Sequence, residues 1–260
     1  MRPFPKIITT SIAAFSTVVA VGWALFREAE PLRLVTQVYP PYQLINPDGS
    51  IGGTSVGTMR CALNGLGQDY SLTIVNGSQW EQAQQDTKDG KFDGFFGALF
   101  TVPRSQWATW TTALDVSRAY YVRRRDHDSD HRDLDMRWGV KAGSGIQKTI
   151  EASPYHFTLI ASDNPQLVKA LHDWDVDWIY MDVLILQWAS RVNGYEDEPL
   201  AATVGSPNFE FDTRIYHLEP ASDQLYGAYF SHAFLNTHPS FLDKFNVAAG
   251  ACRQEREVSK

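Results

Sequence analysis

The sequence predicts an α/β protein of two lobes, each a mainly parallel sheet flanked by helices. Apolar β-runs alternate with segments of helical spacing, first before and then after a strongly charged stretch at residues 124–133. The chain has 260 residues, of which 43% are hydrophobic and 20% charged, with no repeat or low-complexity segment. That length and composition suffice for two ordinary hydrophobic cores.

The charge balance and the cysteine count narrow the possible partners. The chain has 23 Lys and Arg against 30 Asp and Glu, a net charge of -7, which argues against a protein that follows a phosphate backbone. Two cysteines cannot build a tetrahedral thiolate site. We therefore expect no nucleic acid partner, no metal and no cofactor.

Residues 1–28 have the pattern of an export signal. Arg2 and Lys6 precede an apolar stretch from Ile7 to Phe26, and Arg27 follows it. The stretch is about long enough to span a bilayer, so an uncleaved N-terminal membrane anchor is the alternative. Both interpretations place the rest of the chain outside the cytoplasm, and we expect a periplasmic location.

The first α/β unit follows this segment. Its first strand ends at two prolines, which exclude both helix and central strand, and a helix capped by Thr54 or Ser55 follows a turn. Ser78 and Glu81 have the spacing of a capping box at the next helix. The predicted elements are the strand Leu32–Val38, the turn Asn46–Gly49, a helix to Gly65, the strand Ser71–Val75, a helix to Gly90 and the strand Phe92–Phe100.

The second unit begins after the charged stretch. A strand-to-helix turn at Gly143-Ser144-Gly145 directs backbone amides toward whatever lies above the helix, and Asn164-Pro165 supplies a cap and an early proline. The predicted elements are the strands Trp138–Lys141, His156–Ser162, Val176–Met181 and Leu200–Val204 and the helix Val183–Val192. From Asp223 to Cys252 we predict mostly helix, broken at His238-Pro239.

The predicted lobe boundaries follow from the β-run Ala119–Arg123 and a strand at Phe209–Leu218, which would be two hinge crossings. Lobe 1 is then 31–118 plus 208–260, and lobe 2 is 119–207. Cys61 and Cys252 would both lie in lobe 1. In an oxidising compartment they are expected to form a disulfide, with two buried free thiols as the alternative.

Three candidate sites have alternative interpretations. The pairs Asp126-His127 and Asp130-His131 resemble metal ligands, but so charged a loop is more typical of a solvated linker. Ser144 lacks the sequence of a nucleophile elbow, which argues against a hydrolase. Most of the eight tryptophans are expected in the core.

The order of several short motifs is more specific. It consists of Tyr39-Pro40-Pro41-Tyr42, Trp80, Gly90-Lys91-Phe92-Asp93, Thr101-Val102-Pro103-Arg104, Val140–Gly145 and Asp177–Asp182. This order resembles the amino-acid-binding family of periplasmic solute-binding proteins (bacterial extracellular solute-binding protein family 3) over residues 32–250. The resemblance implies the type II periplasmic-binding fold, two lobes joined by two hinge crossings.

The resemblance also implies site residues. Arg104 matches the arginine that binds the ligand's α-carboxylate, and Asp182 matches the carboxylate that receives its α-ammonium. Tyr39 and Trp80 match positions that flank the ligand side chain. The other ligand-binding residues implied are Thr101, Phe100, Ser144 and Gly145.

One segment departs from the family pattern. Asp93 is followed by Gly94–Phe100, where the family has small hydroxyl residues, so fewer hydroxyls remain for a ligand ammonium and Phe100 is positioned to enter the pocket. Gln37 stands where a carboxylate often occurs in members that bind cationic side chains. The ligand is therefore not expected to be lysine or arginine.

The function implied is capture of a small polar ligand, an amino acid or related carboxylate, by a monomer that delivers it to the membrane permease of an ABC transporter. No catalytic residue is expected. The alternatives are an enzyme on the same fold, similar to cyclohexadienyl dehydratase, or a sensory binding module. An enzyme would need a general acid in the cleft, for which only Asp177 and Asp182 are candidates.

Overall fold

The computed structural model describes residues 30–127, 135–154, 157–195 and 215–258. The predicted export segment, most of the charged linker and the predicted strand Leu200–Val204 lie outside these ranges. Within them, no helix is both long enough and apolar enough to cross a membrane.

The centre of the fold is one sheet of eight strands in the order β4-β1-β5-β10-β6-β9-β7-β8. Strands β4, β1 and β5 are parallel to one another, as are β9, β7 and β8, so each end of the sheet is parallel. These strands are β1 Leu32–Gln37, β4 Tyr70–Val75, β5 Gly94–Ala98, β6 Ala108–Arg124, β7 Trp138–Lys141, β8 Phe157–Ala161, β9 Trp178–Asp182 and β10 Tyr216–Ser231, and a separate hairpin contains β2 Leu44–Ile45 and β3 Ile51–Gly52.

Two long antiparallel strands join the parallel ends. β6 pairs with β10 along nearly its whole length, and the pairing is interrupted by irregularities near Pro220 and Gly227. We call β4, β1 and β5 the first half of the sheet and β9, β7 and β8 the second half. Each half pairs with a different member of the long strand pair, β5 with β10 and β9 with β6.

The helices cover both halves. The first half packs with the helices that come before β6 and after β10, and the second half packs with those between them. The helices are α1 Thr54–Gly65, α2 Trp80–Lys88, α3 Val102–Ser105, α4 Gly145–Glu151, α5 Asn164–His172, α6 Val183–Val192, α7 His232–Thr237 and α8 Phe241–Val258.

Two helix caps differ from the prediction. Gly53 precedes α1, and the hydroxyls of Thr54 and Ser55 instead bond the buried carboxylate of Asp115 on β6. The turn before α2 is closed by the backbone N–H of Asn76, which donates to Gln79 Oε1 at 3.2 Å. At α1 the Asp115 carboxylate therefore takes the hydroxyls that were predicted to cap the helix.

The prediction of helix from Asp223 onward is wrong for its first part. Residues up to Ser231 belong to β10, and helix begins only at His232. Leu225 is exposed while Tyr226, Ala228, Tyr229 and Phe230 are buried, so the apolar run lacks the alternation of a half-buried strand. Pairing with β6 on one side and β5 on the other makes this segment a strand. The break at His238-Pro239 is confirmed.

The predicted disulfide is present. Cys61 of α1 is bonded to Cys252 of α8, with their Cα atoms 6.1 Å apart. The two helices pack against each other, and Arg256 of α8 also forms an ion pair with Asp115 at 2.8 Å. The C-terminal helix is thus fixed to α1 by a covalent bond and to β6 by a partly buried ion pair.

Replacing both cysteines by alanine is expected to lower the free energy of unfolding by about 2 to 5 kcal/mol, because the bond closes a loop of 191 residues. Urea denaturation followed by circular dichroism measures the change. Reduction of the parent protein should reproduce most of it. A double variant as stable as the oxidised parent would contradict this account.

Candidate functional site

A cavity of about 50 Å³ lies between the two halves of the sheet. Its walls come from the carboxyl ends of parallel strands, where ligands of open α/β sheets bind. From the first half and the long strands its lining contains Gln37, Tyr39, Trp80, Gly97, Ala98, Leu99, Arg104, Gln224 and Tyr226, and from the second half Lys141, Ser144, Gly145, Ile146, Asn164, Leu167, Tyr180, Met181 and Asp182.

Arg104 crosses from the first half to the second. Its side chain, 7% exposed, extends from α3, and its Nη2 donates to the Gly143 carbonyl at 2.9 Å. Nε donates to Gln84 Oε1 at 2.7 Å and Nη1 to the Leu99 carbonyl at 2.9 Å. A guanidinium has five N–H donors, so these three bonds and a fourth with the Tyr229 hydroxyl leave one donor beside the cavity.

The guanidinium also lies between two aromatic rings. Its central carbon is 5.8 Å from the ring centres of both Phe95 and Tyr229. Burial lowers the pKa of Arg104 to about 10, partly offset by Tyr229, and the side chain therefore remains charged at neutral pH. No carboxylate pairs with it within the described residues.

Lys141 supplies a second buried cation. It ends β7, is 4% exposed, and makes one weak contact, from Nζ to the Ala142 carbonyl at 3.5 Å. Burial lowers the pKa of Lys141 to about 7, and the charge of Arg104 lowers it further while Asp163 and Glu81 act in the opposite direction. Among the described residues, most of the hydrogen-bonding capacity of its ammonium group is unused.

Asp182 is fully occupied by protein donors. Its Oδ1 accepts the amides of Leu184 at 2.8 Å and Ile185 at 3.3 Å, and it thereby caps α6. Its Oδ2 accepts the hydroxyls of Tyr42 at 2.8 Å and Tyr226 at 3.2 Å. A carboxylate has about four lone-pair sites, so these four donors, with a further hydrogen bond from Ser117, fill it.

Three tyrosines surround this carboxylate. Tyr39 and Tyr42 come from the proline loop after β1, and Tyr226 comes from β10, with ring centres 5.0 to 5.9 Å apart. Burial raises the pKa of Asp182, and hydrogen bonds from Ser117, Tyr42 and the α6 amides oppose that rise. Burial likewise raises the pKa of Tyr226. The cluster joins both sheet halves through neutral hydroxyls and one carboxylate.

The glycine turn predicted before α4 is present. Gly143 has φ of 65°, and a Cβ there would lie 3.0 Å from Cβ of Glu81, so the left-handed conformation and the approach of α2 both require glycine. Ser144 caps α4 by accepting the Gln147 amide at 3.0 Å and donates to the Lys141 carbonyl at 2.7 Å. The turn thus fixes the backbone of Lys141 beside the cavity.

The structure brings most of the predicted site residues to one cavity. Two lie outside its lining: Phe100 is 54% exposed and contacts Trp110 edge-on, and the Thr101 amide donates to the Tyr229 hydroxyl at 2.7 Å. Those found in the lining are Tyr39, Trp80, Arg104, Ser144, Gly145 and Asp182.

Lys141 was not predicted as a site residue, although a signal for it exists. It ends a strand of the second half, as Asp182 does, and strand ends of such sheets face the ligand crevice. Gln37 was considered only as an argument against cationic ligands; it is 5% exposed, and its Oε1 has no hydrogen-bond partner among the described residues. No group of three His, Cys, Asp or Glu that could hold a metal occurs in the described ranges.

Solved structures with the same architecture identify the fold. A histidine kinase sensor domain with similarity to periplasmic binding proteins has a TM-score of 0.68 at 14% identity, covering 88% of this chain and 92% of that one. The chain has the two-lobed fold of periplasmic binding proteins. The predicted fold class is therefore confirmed.

Two further proteins with the binding-protein fold are similar to the chain. An arginine-specific periplasmic binding protein from Salmonella typhimurium has a TM-score of 0.62 at 17% identity, covering 87% of this chain and 94% of that one. An ancestral amino-acid-binding protein, a precursor of cyclohexadienyl dehydratase, has a TM-score of 0.63 at 11% identity, covering 94% and 96%. No protein-family model and no curated protein sequence matches the chain.

Tyr42→Phe is expected to lower the free energy of unfolding by about 1 to 3 kcal/mol, because one lone pair of the buried Asp182 carboxylate loses its donor. Chemical denaturation measures the loss. Tyr70→Phe is the matched control, since the Tyr70 hydroxyl has no hydrogen bond within the described chain. Equal effects of the two substitutions would show that the hydrogen bond from the Tyr42 hydroxyl does not stabilise the fold.

Lys141→Met is expected to stabilise the unliganded protein most at pH 6, with the advantage narrowing toward pH 10. The folded pKa near 7 lies below the ordinary 10.5, so between these values the unfolded parent binds more protons and parent stability rises with pH. Denaturation at several pH values measures the difference. Lys148→Met removes an exposed lysine as a control. If the difference in free energy of unfolding between Lys141→Met and the parent does not change with pH, Lys141 is not a buried ammonium that titrates in this range.

Proposed function

We propose that the chain is an extracytoplasmic solute-binding protein that closes two lobes around a small ligand bearing a carboxylate, without chemistry. The observation that carries this proposal is the cavity between the sheet halves, with Arg104 from one half and Lys141 from the other. A guanidinium with a remaining donor suits one carboxylate oxygen, and the Lys141 ammonium is available for the other. The fold shared with amino-acid-binding proteins supports the same role.

The lobes in this proposal are residues 31–118 with 208–260, and residues 119–207. With these bounds the chain crosses from the first lobe to the second within β6, after Arg118, and its return near residue 208 lies outside the described residues. β10 pairs with β6 on both sides of Arg118. Bending of these two strands near their register irregularities would open the cavity. Tyr39 and Trp80 would then flank the ligand from the first lobe, and the Ser144 turn would cover it from the second.

An extracytoplasmic location has independent support from the disulfide. The bond between Cys61 and Cys252 would persist in an oxidising compartment and not in the cytoplasm. The N-terminal sequence pattern supports export to the periplasm. We propose a monomer, to be checked by light scattering coupled to gel filtration.

Delivery of the ligand to the permease of an ABC transporter is the first candidate role. A sensory role is the second, because a histidine kinase sensor domain shares the fold over 88% of this chain. Deletion of the chain from its native cell separates the two. Lost uptake of the ligand supports transport, whereas unchanged uptake with a lost signalling response supports sensing.

An enzyme on this fold is the remaining alternative, and the positions of its candidate acids do not favour it. Asp182 is filled by protein donors, and Asp177 pairs with Arg137 at 2.7 Å at the far end of β9, outside the cavity lining. Neither carboxyl is placed to donate a proton to a ligand. Incubation with small carboxylic acids followed by mass spectrometry tests the point. Formation of a product would show that the chain is an enzyme and not only a binding protein.

A thermal-shift screen of amino acids, hydroxy acids and dicarboxylates is expected to find a ligand that stabilises the protein by about 2.7 kcal/mol at one hundred times its dissociation constant. Arg104→Gln should then weaken binding at least about a hundredfold in calorimetry, because it leaves the ligand charge buried without its partner. Arg60→Gln, on α1 and outside the cavity lining, is the matched control.

Equal affinities of the parent and Arg104→Gln for the ligand would contradict the role of Arg104. Absence of any stabilising compound in the whole panel would contradict a binding function for small carboxylates. Circular dichroism of Arg104→Gln must match the parent, since the side chain also bonds Gly143 across the cleft.

A further inference from the structure

We propose that the cavity takes a small 2-hydroxy carboxylate, held between Arg104 and Lys141, and excludes the corresponding α-amino acid. This inference rests on the proposed binding function and names its ligand class. Three features of the cavity carry it: its charge, its unoccupied hydrogen-bonding groups and its size.

The two basic side chains of the cavity have no bonded carboxylate within the described residues. Arg104 and Lys141 are both more than nine-tenths buried and line the same space. Glu81 and Asp163 lie near enough to influence Lys141, but neither forms an ion pair with its Nζ within the described residues. An anion between them would pair with the charged Arg104 and favour the charged form of Lys141, whose pKa is about 7.

The remaining carboxylate of the lining cannot receive an ammonium. Both oxygens of Asp182 already accept two protein donors each, from the α6 amides and from Tyr42 and Tyr226. An amino acid would have to displace a buried hydroxyl to pair its ammonium there. A ligand with a third positive charge beside Arg104 and Lys141 is therefore disfavoured relative to a neutral hydroxyl at the same position.

Gln37 supplies an acceptor for such a hydroxyl. Its side chain is 5% exposed, lines the cavity, and its Oε1 has no partner among the described residues. A buried acceptor without a donor is costly. A ligand hydroxyl on the carbon next to the carboxylate would donate to Gln37 Oε1, while Arg104 and Lys141 bind the carboxylate oxygens.

The size of the cavity in this arrangement favours a small ligand. A volume of about 50 Å³ corresponds to roughly four water positions, at about 10 to 15 Å³ for each. Glycolate and lactate, the smallest 2-hydroxy acids, come nearest to this scale, although each has slightly more non-hydrogen atoms than about four waters. Long side chains, including that of arginine, exceed the cavity in this closed arrangement.

The test compares pairs of ligands that differ only in hydroxyl and ammonium: glycolate with glycine, and lactate with alanine. Calorimetry at pH 7 is expected to show the hydroxy acid binding at least about tenfold more tightly in at least one pair. Lys141→Gln should weaken that binding at least about thirtyfold, while Lys148→Gln should change it less than twofold. Phosphate, sulfate and nitrate are measured in parallel.

A second measurement uses the parent protein alone. Binding of an anion favours the charged form of Lys141, so binding of lactate or glycolate at pH 8 should take up protons, and affinity should fall between pH 7 and pH 9. Titrations in two buffers with different ionisation enthalpies measure the uptake. The charged groups acting on Lys141 are Arg104, Glu81 and Asp163, and this measurement holds even where Lys141→Gln fails to fold.

Several outcomes would overturn the inference. They are an amino acid that binds as tightly as its hydroxy acid, an inorganic oxyanion that binds more tightly than either, and hydroxy acid binding without proton uptake. If the four paired compounds fail but another carboxylate of the wider screen binds, the ligand class is wrong and the binding function survives. If no compound in the wider screen binds, both are wrong.

Discussion

The pairing of β6 with β10 is the constraint on which the rest of the structure depends. It joins two parallel sheet ends that otherwise share no strand neighbours, and it runs from Ala108 opposite Ser231 to Arg124 opposite Tyr216. Asp115, midway along β6, binds α1 and α8 through Thr54, Ser55 and Arg256. The same strand pair therefore anchors the first half of the sheet and carries the chain into the second.

Irregularities in this pairing place side chains at the cavity. The register shifts on both sides of Gly227, where a Cβ would lie 2.6 Å from the Trp110 ring. Bulges redirect side chains and are common beside functional sites. Tyr226, next to the shift, reaches Asp182 at the end of β9. The link between the halves at this point is thus a hydrogen bond positioned by backbone geometry.

Much of the fold could be predicted from the sequence because its elements have clear periods and ends. The helix from Thr54 to Gly65 keeps helical spacing and stops at glycines, and the strand Trp138–Lys141 is followed by a glycine turn. Residues 223–231 were misjudged because a strand buried on both sides lacks alternation. Long-range pairing, which no local pattern encodes, decided their structure.

The candidate site could be predicted in part, and the reason concerns how buried charges are satisfied. Strand-end positions indicated Arg104 and Asp182 as facing residues, but an acidic residue directly before a helix is also typical of an N-cap, and that is where Asp182 bonds. A buried charged group is available to a ligand only if other side chains have not already filled its hydrogen bonds. For Asp182 those side chains, Tyr42 and Tyr226, are distant in the sequence.

The contacts that already join the halves determine what a ligand can contribute. Arg104 bonds Gly143 and Tyr42 bonds Asp182 without any ligand atom, so part of the closed arrangement is held by the protein itself. A ligand shifts a conformational equilibrium only by its differential affinity for the two states. Lys141 is the lining cation with the fewest protein contacts in the closed cavity, and opening would return it to water. Under the proposed function, an anion that pairs with Lys141 would remove a cost specific to the closed state, so Lys141, more than the well-bonded Asp182, would couple ligand binding to closure.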